Sequence, residues 1–206
     1  MTTMTGLSFI HRFKPASESE RPPLLLLHGT GGNEDDLLPL GRMLSPNSAH
    51  VSPRGKVLEG GMPRFFRRLA DGVFDEDDVS CRAHELADFI AEAREAYGLA
   101  APVAVGFSNG ANIAAAVLQL RPQALSGAVL IRAMVPLQEP PSVDLAEKPV
   151  LILSGAYDPV VPADNAKRLA SLLRSAGAAV QHQMLPAGHG LSQADAGLAK
   201  AWIQGL

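Results

Sequence analysis

Apolar residues in this chain come in short runs without alternation, separated by longer stretches where they recur every three or four positions. Leu24-Leu25-Leu26-Leu27 and Val150-Leu151-Ile152-Leu153 contain no polar position, as expected of strands covered on both faces of a sheet. The pattern predicts strands over Leu7–Phe13, Leu24–Leu27, His50–Ser52, Val103–Gly106, Gly127–Ile131, Val150–Ser154 and Val180–Leu185. Helical patterns fall between them. Asp77–Tyr97 opens on acidic residues, sets Leu86, Phe89, Ile90, Ala93 and Tyr97 on one face, and stops at Gly98. Asn109–Leu120 ends before Pro122, Ala163–Ala176 ends at Gly177, and Ser192–Ile203 has Ser192 as its expected N-cap. This alternation predicts one α/β domain over residues 1–206, with a mostly parallel central sheet and helices on both faces. Residues 60–74 have no clear period, and the Pro-rich segment 136–149 reads as a loop, which leaves no room there for a separate lid domain.

Composition narrows the picture. A chain of 206 residues, 47% hydrophobic and 19% charged, suits one well-buried globular core. A net charge of -3 gives no pull towards nucleic acid or an anionic membrane surface. The single cysteine, Cys81, excludes an intramolecular disulfide framework and fits a reducing compartment. No apolar run approaches the roughly 20 residues of a membrane span. Residues 1–13 lack the basic start and apolar core of a secretory signal. The expectation is a cytoplasmic protein. No two histidines stand at helix-face spacing with a carboxylate, so neither a metal nor another cofactor is expected.

The chemistry concentrates at Gly106-Phe107-Ser108-Asn109-Gly110, directly after the apolar run Pro102–Val105 and before the small-residue helix Ala111–Leu118. A nucleophilic serine must project from a backbone bent so sharply that flanking side chains collide, which calls for glycine at 106 and 110. The following helix aims free N–H groups and its positive end at the same spot. Serine needs a base, and the base needs an orienting carboxylate. In open α/β sheets such groups lie past the carboxyl ends of strands. Asp158 follows Val150–Ser154, and His189 follows Val180–Leu185 between two glycines that leave the backbone free to swing the ring. The order Ser108, Asp158, His189 is that of an α/β-hydrolase. His11 and His182 lie inside predicted strands, His50 begins one, and His84 lies in a helix. His28 precedes the loop Gly29-Thr30-Gly31-Gly32-Asn33, where support of that loop is its expected role. The loop's glycines let backbone N–H groups face the serine and supply an oxyanion donor beside the Asn109 N–H. A phosphate loop is excluded, because no Gly-Lys-Ser/Thr follows and Glu34-Asp35-Asp36 would repel phosphate.

His28-Gly29-Thr30-Gly31-Gly32-Asn33, Gly106-Phe107-Ser108-Asn109-Gly110, Asp158-Pro159-Val160-Val161-Pro162 and Gly188-His189-Gly190 together resemble the phospholipase/carboxylesterase family of α/β-hydrolases. That family includes acyl-protein thioesterases and is related to dienelactone hydrolases. The resemblance runs from about Leu24 to the C-terminus. It implies Ser108 as nucleophile, His189 as general base and then acid, Asp158 as orienter, and the Thr30 and Asn109 N–H groups as oxyanion hole. Serine at 108 departs from the cysteine of dienelactone hydrolases, and Asn109 departs from the glutamine usual in acyl-protein thioesterases. The stretch from Arg54 to Met62-Pro63-Arg64-Phe65-Phe66-Arg67-Arg68 looks like the bacterial carboxylesterase branch. Dimers are common in the resembled family, so a homodimer is among the partners it implies.

Met62, Phe65, Phe66, Met134 and Val160 are the candidate substrate-pocket residues, with ordinary packing onto the core as the equal alternative. Arg64, Arg67 and Arg68 read as a solvated face or as contacts to an anionic substrate group. The sequence therefore predicts a serine hydrolase acting on carboxylic esters of small or medium size. A thioesterase or lysophospholipase is the rival within enzymes, and a small-molecule binding protein on the same scaffold the rival outside them.

Overall fold

The computed structural model describes residues 6–18, 21–70, 72–146 and 148–206. A seven-stranded sheet is built from β1 (His11–Lys14), β2 (Leu24–Leu27), β3 (His50–Pro53), β8 (Val103–Phe107), β9 (Gly127–Ile131), β10 (Pro149–Gly155) and β11 (Ala179–Leu185), in the order β1-β3-β2-β8-β9-β10-β11. Every pairing is parallel except that of β1 with β3. Parallel strands need crossovers, and the helices supply them: α1 (Leu38–Leu44), α2 (Glu76–Tyr97), α3 (Asn109–Leu120), α4 (Ala163–Ser175) and α5 (Gln193–Gln204). No helix among the described residues is long and apolar enough to cross a membrane.

The unbroken apolar runs resolve into two faces by simple alternation. Leu25, Leu27, Ala104, Ala128, Leu130, Val150 and Ile152 face α2, α3 and α4, whose Leu86, Phe89, Ile113, Val117, Leu169 and Leu173 complete one core layer. Leu24, Leu26, Val103, Val105, Val129, Ile131, Leu151 and Leu153 face Leu38 and Leu44 of α1 and Ala199 and Ile203 of α5. The sheet is therefore sandwiched, and its strand ends are the place left for chemistry.

Local signals explain the helix ends. Asp75 caps α2 by accepting from the Asp78 N–H, and Gly98 ends it in a left-handed conformation. Ser192 caps α5 in a reciprocal capping box with Asp195. Three expectations need correction. The predicted first strand Leu7–Phe13 forms only from His11, because the register that pairs His11 with Pro53 and Lys14 with His50 fixes it there. Phe9 is instead buried outside the sheet, packed on Phe89. α1 was not predicted, since Pro39 and Gly41 break the helical pattern of a seven-residue segment that lies on β2 with Gly41 against Leu26. Residues 57–74 form two short hairpins, β4 (Val57–Glu59) with β5 (Met62–Arg64) and β6 (Arg68–Ala70) with β7 (Val73–Phe74). Strands of two or three residues are too short to leave an alternation in sequence. Segment 132–148, joining β9 to β10, carries no helix or strand among its described residues.

Candidate active site

Ser108 sits between β8 and α3 with φ 52° and ψ -114°, a conformation costly for any residue with a side chain. The surroundings hold it there: its N–H donates to Ile131 O at 2.8 Å and its carbonyl accepts from Asn112 N at 3.0 Å. Glycine is required on both sides by close approach. A Cβ on Gly106 would meet Gly110 O at 2.5 Å, and one on Gly110 would come within 2.6 Å of His28 O and closer still to Leu27 O. The start of α3 is thus pressed directly onto the end of β2.

The loops after β10 and β11 bring the other two side chains to the serine. His189 Nε2 lies 2.9 Å from Ser108 Oγ. His189 Nδ1 lies 2.9 Å from Asp158 Oδ2 and 3.1 Å from Oδ1. The Asp158 side chain is fully buried, and its Oδ1 also accepts from Val160 N at 2.8 Å and Val161 N at 3.0 Å. With the carboxylate accepting from Nδ1–H, Nε2 is left with a lone pair facing the hydroxyl. The two loops also bind each other, through Ala156 N to Leu185 O at 2.8 Å and Tyr157 N to Ala187 O at 3.0 Å.

Thr30 and Asn109 bring main-chain donors. Gly29 O accepts from His28 Nδ1–H at 2.7 Å and from Gly32 N at 3.1 Å. The Gly29–Thr30 peptide is trans, so a carbonyl anchored on His28 turns the Thr30 N–H the opposite way. A Cβ on Gly29 would touch the Phe107 ring at 2.9 Å, which sets this loop against the elbow. His28 accepts from Gly55 N at 3.0 Å through Nε2, and burial holds its imidazole below the usual range, so it stays neutral with the proton on Nδ1. Two of the three acidic residues after the loop are paired with arginines. The Arg54 fork holds the Glu34 carboxyl below its ordinary range, and Arg12 does the same for Asp35.

The candidate pocket residues separate into two groups. Met62 is 43% exposed and lies over Gly31, 3.6 Å from where a Cβ would stand, while Val160 is 53% exposed beside Asp158. Phe65 and Phe66 are corrected to core residues, at 3% and 0% exposure. Phe65 packs on the His28 ring at 4.7 Å, and Phe66 meets Phe74 edge-on at 5.0 Å. The link between the two hairpins turns these rings inward, so they pack on His28 and Phe74 within the core and offer a substrate no open surface. Met134 is buried against Val161, Ala166 and Phe74 under the acid loop. In the arginine run, Arg64 and Arg68 pair with Glu59 at 3.3 and 2.6 Å, and the exposed Arg67 pairs with Asp75 at 2.8 Å.

Sequence reasoning missed two amides on the apolar helix α3. Asn109 Oδ1 accepts from Phe65 N and Asn112 Oδ1 from Met134 N, each at 2.7 Å, so the link between the hairpins and the segment after β9 both hang from the helix that follows Ser108. Buried Asn in a run of alanines was the available signal.

Sheet order, strained elbow and the Ser–His–Asp hydrogen-bond chain define an α/β-hydrolase. The chain belongs to the phospholipase/carboxylesterase family, which it matches over residues 11–205. MhqD of Bacillus subtilis strain 168, described as a hydrolase, is 48% identical over 183 residues, covering 88% of this chain and 92% of the relative. A carboxylesterase from Bacillus cereus superposes with a TM-score of 0.94 at 44% identity, covering 96% of this chain and 94% of its own. One from Mesorhizobium loti gives 0.93 at 32% identity, covering 100% and 99%. The protein is an esterase-type hydrolase.

Proposed function

We propose that this chain, acting as one catalytic domain, cleaves carboxylic esters of small or medium size through Ser108, His189 and Asp158. The supporting observation is the unbroken chain of hydrogen bonds from Ser108 Oγ through the imidazole to the Asp158 carboxylate, 2.9 Å on either side of the ring. Ser108 Oγ attacks the ester carbonyl as Nε2 takes its proton, and Asp158 stabilises the resulting imidazolium. Negative charge gathering on the carbonyl oxygen is met by the N–H groups of Thr30 and Asn109. Neither N–H has an acceptor among the described residues. Collapse expels the alcohol, which takes the proton from His189. Water then attacks the acyl-enzyme, giving its proton to the same nitrogen, and the acid leaves as Ser108 is restored.

Substrate size follows from what surrounds the serine. Ser108 and His189 keep partial exposure, and exposed Met62 and Val160 flank them. The described part of segment 132–148 has no helix or strand to close over a long chain. Such a site favours short acyl groups reached from open solvent. The exposed lone cysteine, Cys81, suits the reducing cytoplasm, and family membership suggests a homodimer.

The test is hydrolysis of p-nitrophenyl esters from acetate to decanoate by wild type and Ser108→Ala. Turnover should fall by about four orders of magnitude in the mutant, with the shorter esters fastest in the wild type. Equal rates in both proteins would remove Ser108 from the reaction. A preference for decanoate would overturn the size assignment, and faster cleavage of thioesters or lysolipids would move the substrate class.

A further inference from the structure

His189 sits between two glycines that side-chain packing does not hold. A Cβ on Gly190 would meet nothing within 4 Å, and one on Gly188 only Tyr157 O at 3.8 Å. Yet catalytic geometry tolerates displacements of only about half an ångström. Contact fixes the stretch before the ring, where a Cβ on Gly155 would meet Ala187 O at 2.5 Å and Gly188 O at 2.6 Å, but the backbone on either side of His189 also needs a hold on its direction, and a fully buried guanidinium lies beneath it.

Arg132 follows β9 in a left-handed conformation, φ 57°, which turns its side chain under the loops after β10 and β11. Its five donors meet five acceptors. Nε donates to Gly188 O at 2.8 Å and Nη2 to Gly190 O at 3.4 Å, the two carbonyls nearest His189 along the chain. Nη1 donates to Leu153 O at 3.1 Å, on β10. The remaining two form a fork with Asp195, at 2.8 Å from Nη1 to Oδ1 and 2.9 Å from Nη2 to Oδ2. Asp195 is equally buried and lies in the first turn of α5, where its Oδ2 also accepts from Ser192 N at 2.8 Å and Ser192 Oγ at 2.7 Å. One planar group thus joins the end of β9, the end of β10, both sides of the base and the start of α5. Arginine suits this, because five donors in a rigid plane fix five directions at once.

A buried ion pair is a poor device for stability alone, since apolar residues of similar volume commonly serve as well. Its value here lies in direction. We infer that Arg132, oriented by Asp195, is a positioning residue that holds His189 in line between Ser108 and Asp158 by gripping the carbonyls of Gly188 and Gly190. This rests on the triad reading above. Sequence carried a faint sign of it, a single charge set between Ile131 and the apolar Ala133-Met134-Val135.

The test uses Arg132→Lys, whose single ammonium cannot span the five acceptors, and the double variant Arg132→Met with Asp195→Leu, which replaces the pair by apolar volume. Ser108→Ala runs beside them on p-nitrophenyl butyrate. Active sites are counted with a fluorophosphonate, and the far-downfield Nδ1 proton of His189 is followed by NMR. Each folded variant should keep its full count of reactive serines and its KM, lose about a hundredfold in kcat per site, and broaden or lose the Nδ1 resonance. A purely structural role would instead lower the count of sites and leave turnover per site unchanged. Wild-type kcat per site in either folded variant overturns the inference, and the double variant decides if Arg132→Lys does not fold. Activity persisting in Ser108→Ala would instead refute the triad reading itself.

Discussion

Asp158→Asn changes one oxygen to an NH2 group with almost no change of shape, and the structure determines which way the new amide must face. Oδ1 accepts from Val160 N at 2.8 Å and Val161 N at 3.0 Å. Turning the amide round would set NH2 against two N–H donors, at a cost of about 1–3 kcal/mol for each acceptor lost. The amide oxygen therefore stays at the Oδ1 position and NH2 takes that of Oδ2, 2.9 Å from His189 Nδ1. The oxygen left at Oδ1 is farther from Nδ1, at 3.1 Å, and already takes two N–H donors, so a donor at the nearer position drives the imidazole proton off Nδ1 and onto Nε2, the atom that faces Ser108 Oγ. The ring then has no lone pair for the serine's proton. Turnover should fall by about 10⁴-fold, equivalent to about 5.5 kcal/mol of barrier. Because no group changes size, the melting temperature should move by no more than about 4 °C. The assay is kcat on p-nitrophenyl butyrate with a thermal melt of the same sample. A folded Asp158→Asn enzyme working within about tenfold of wild type would refute the tautomer argument.

Two further predictions concern stability. Gly110→Ala would press a methyl group into the backbone carbonyls of Leu27 and His28, which cannot rotate aside as a side chain can. It should cost about 3 kcal/mol and lower the melting temperature by roughly 6–12 °C; an unchanged melt would mean that α3 does not lie so close to β2. Burial holds His28, His50 and His182 below the usual imidazole range. The unfolded chain therefore binds their protons near pH 6.5 while the folded chain does not, so stability is full above about pH 6.5 and falls as the pH drops through it. His28 and His50 each contribute a slope of up to about 1.4 kcal/mol per pH unit, and the more exposed His182 less. Charging His50 would also bury a proton on Nδ1, which has no hydrogen-bond partner among the described residues. Glu34 and Asp35, held low by Arg54 and Arg12, add a second loss below about pH 4.3. Urea unfolding between pH 8 and pH 5 measures the first window, and a flat profile there would contradict it.

The core strands were legible because burial on both faces leaves no polar position in the run, as in Leu24–Leu27 and Val150–Leu153. Long helices with ordinary caps were legible for the same local reason, α2 at Gly98 and α5 at Ser192. Three elements were not. The seven residues of α1 carry a proline and a glycine, and the hairpins of residues 57–74 have strands of two or three residues. Both are held by what they pack on, and their own sequences carry little of that. Phe65 and Phe66 show the limit most clearly, since an aromatic pair near a serine loop reads equally as pocket or core until the direction of the link between the hairpins is known.

The chemistry's ingredients are local in the chain: glycines where Ser108 bends it, a carboxylate after the buried strand β10 and an imidazole after the edge strand β11. These are local demands, imposed by backbone clash and strand period on neighbouring residues. Their convergence is a product of the fold. Ser108 and His189 are 81 positions apart, Asp158 and His189 are 31 apart, and their hydrogen bonds exist because β8, β10 and β11 run parallel with their ends aligned. The same fold placed Arg132 against Asp195, 63 positions away, since a charge can be buried only where the fold delivers its partner.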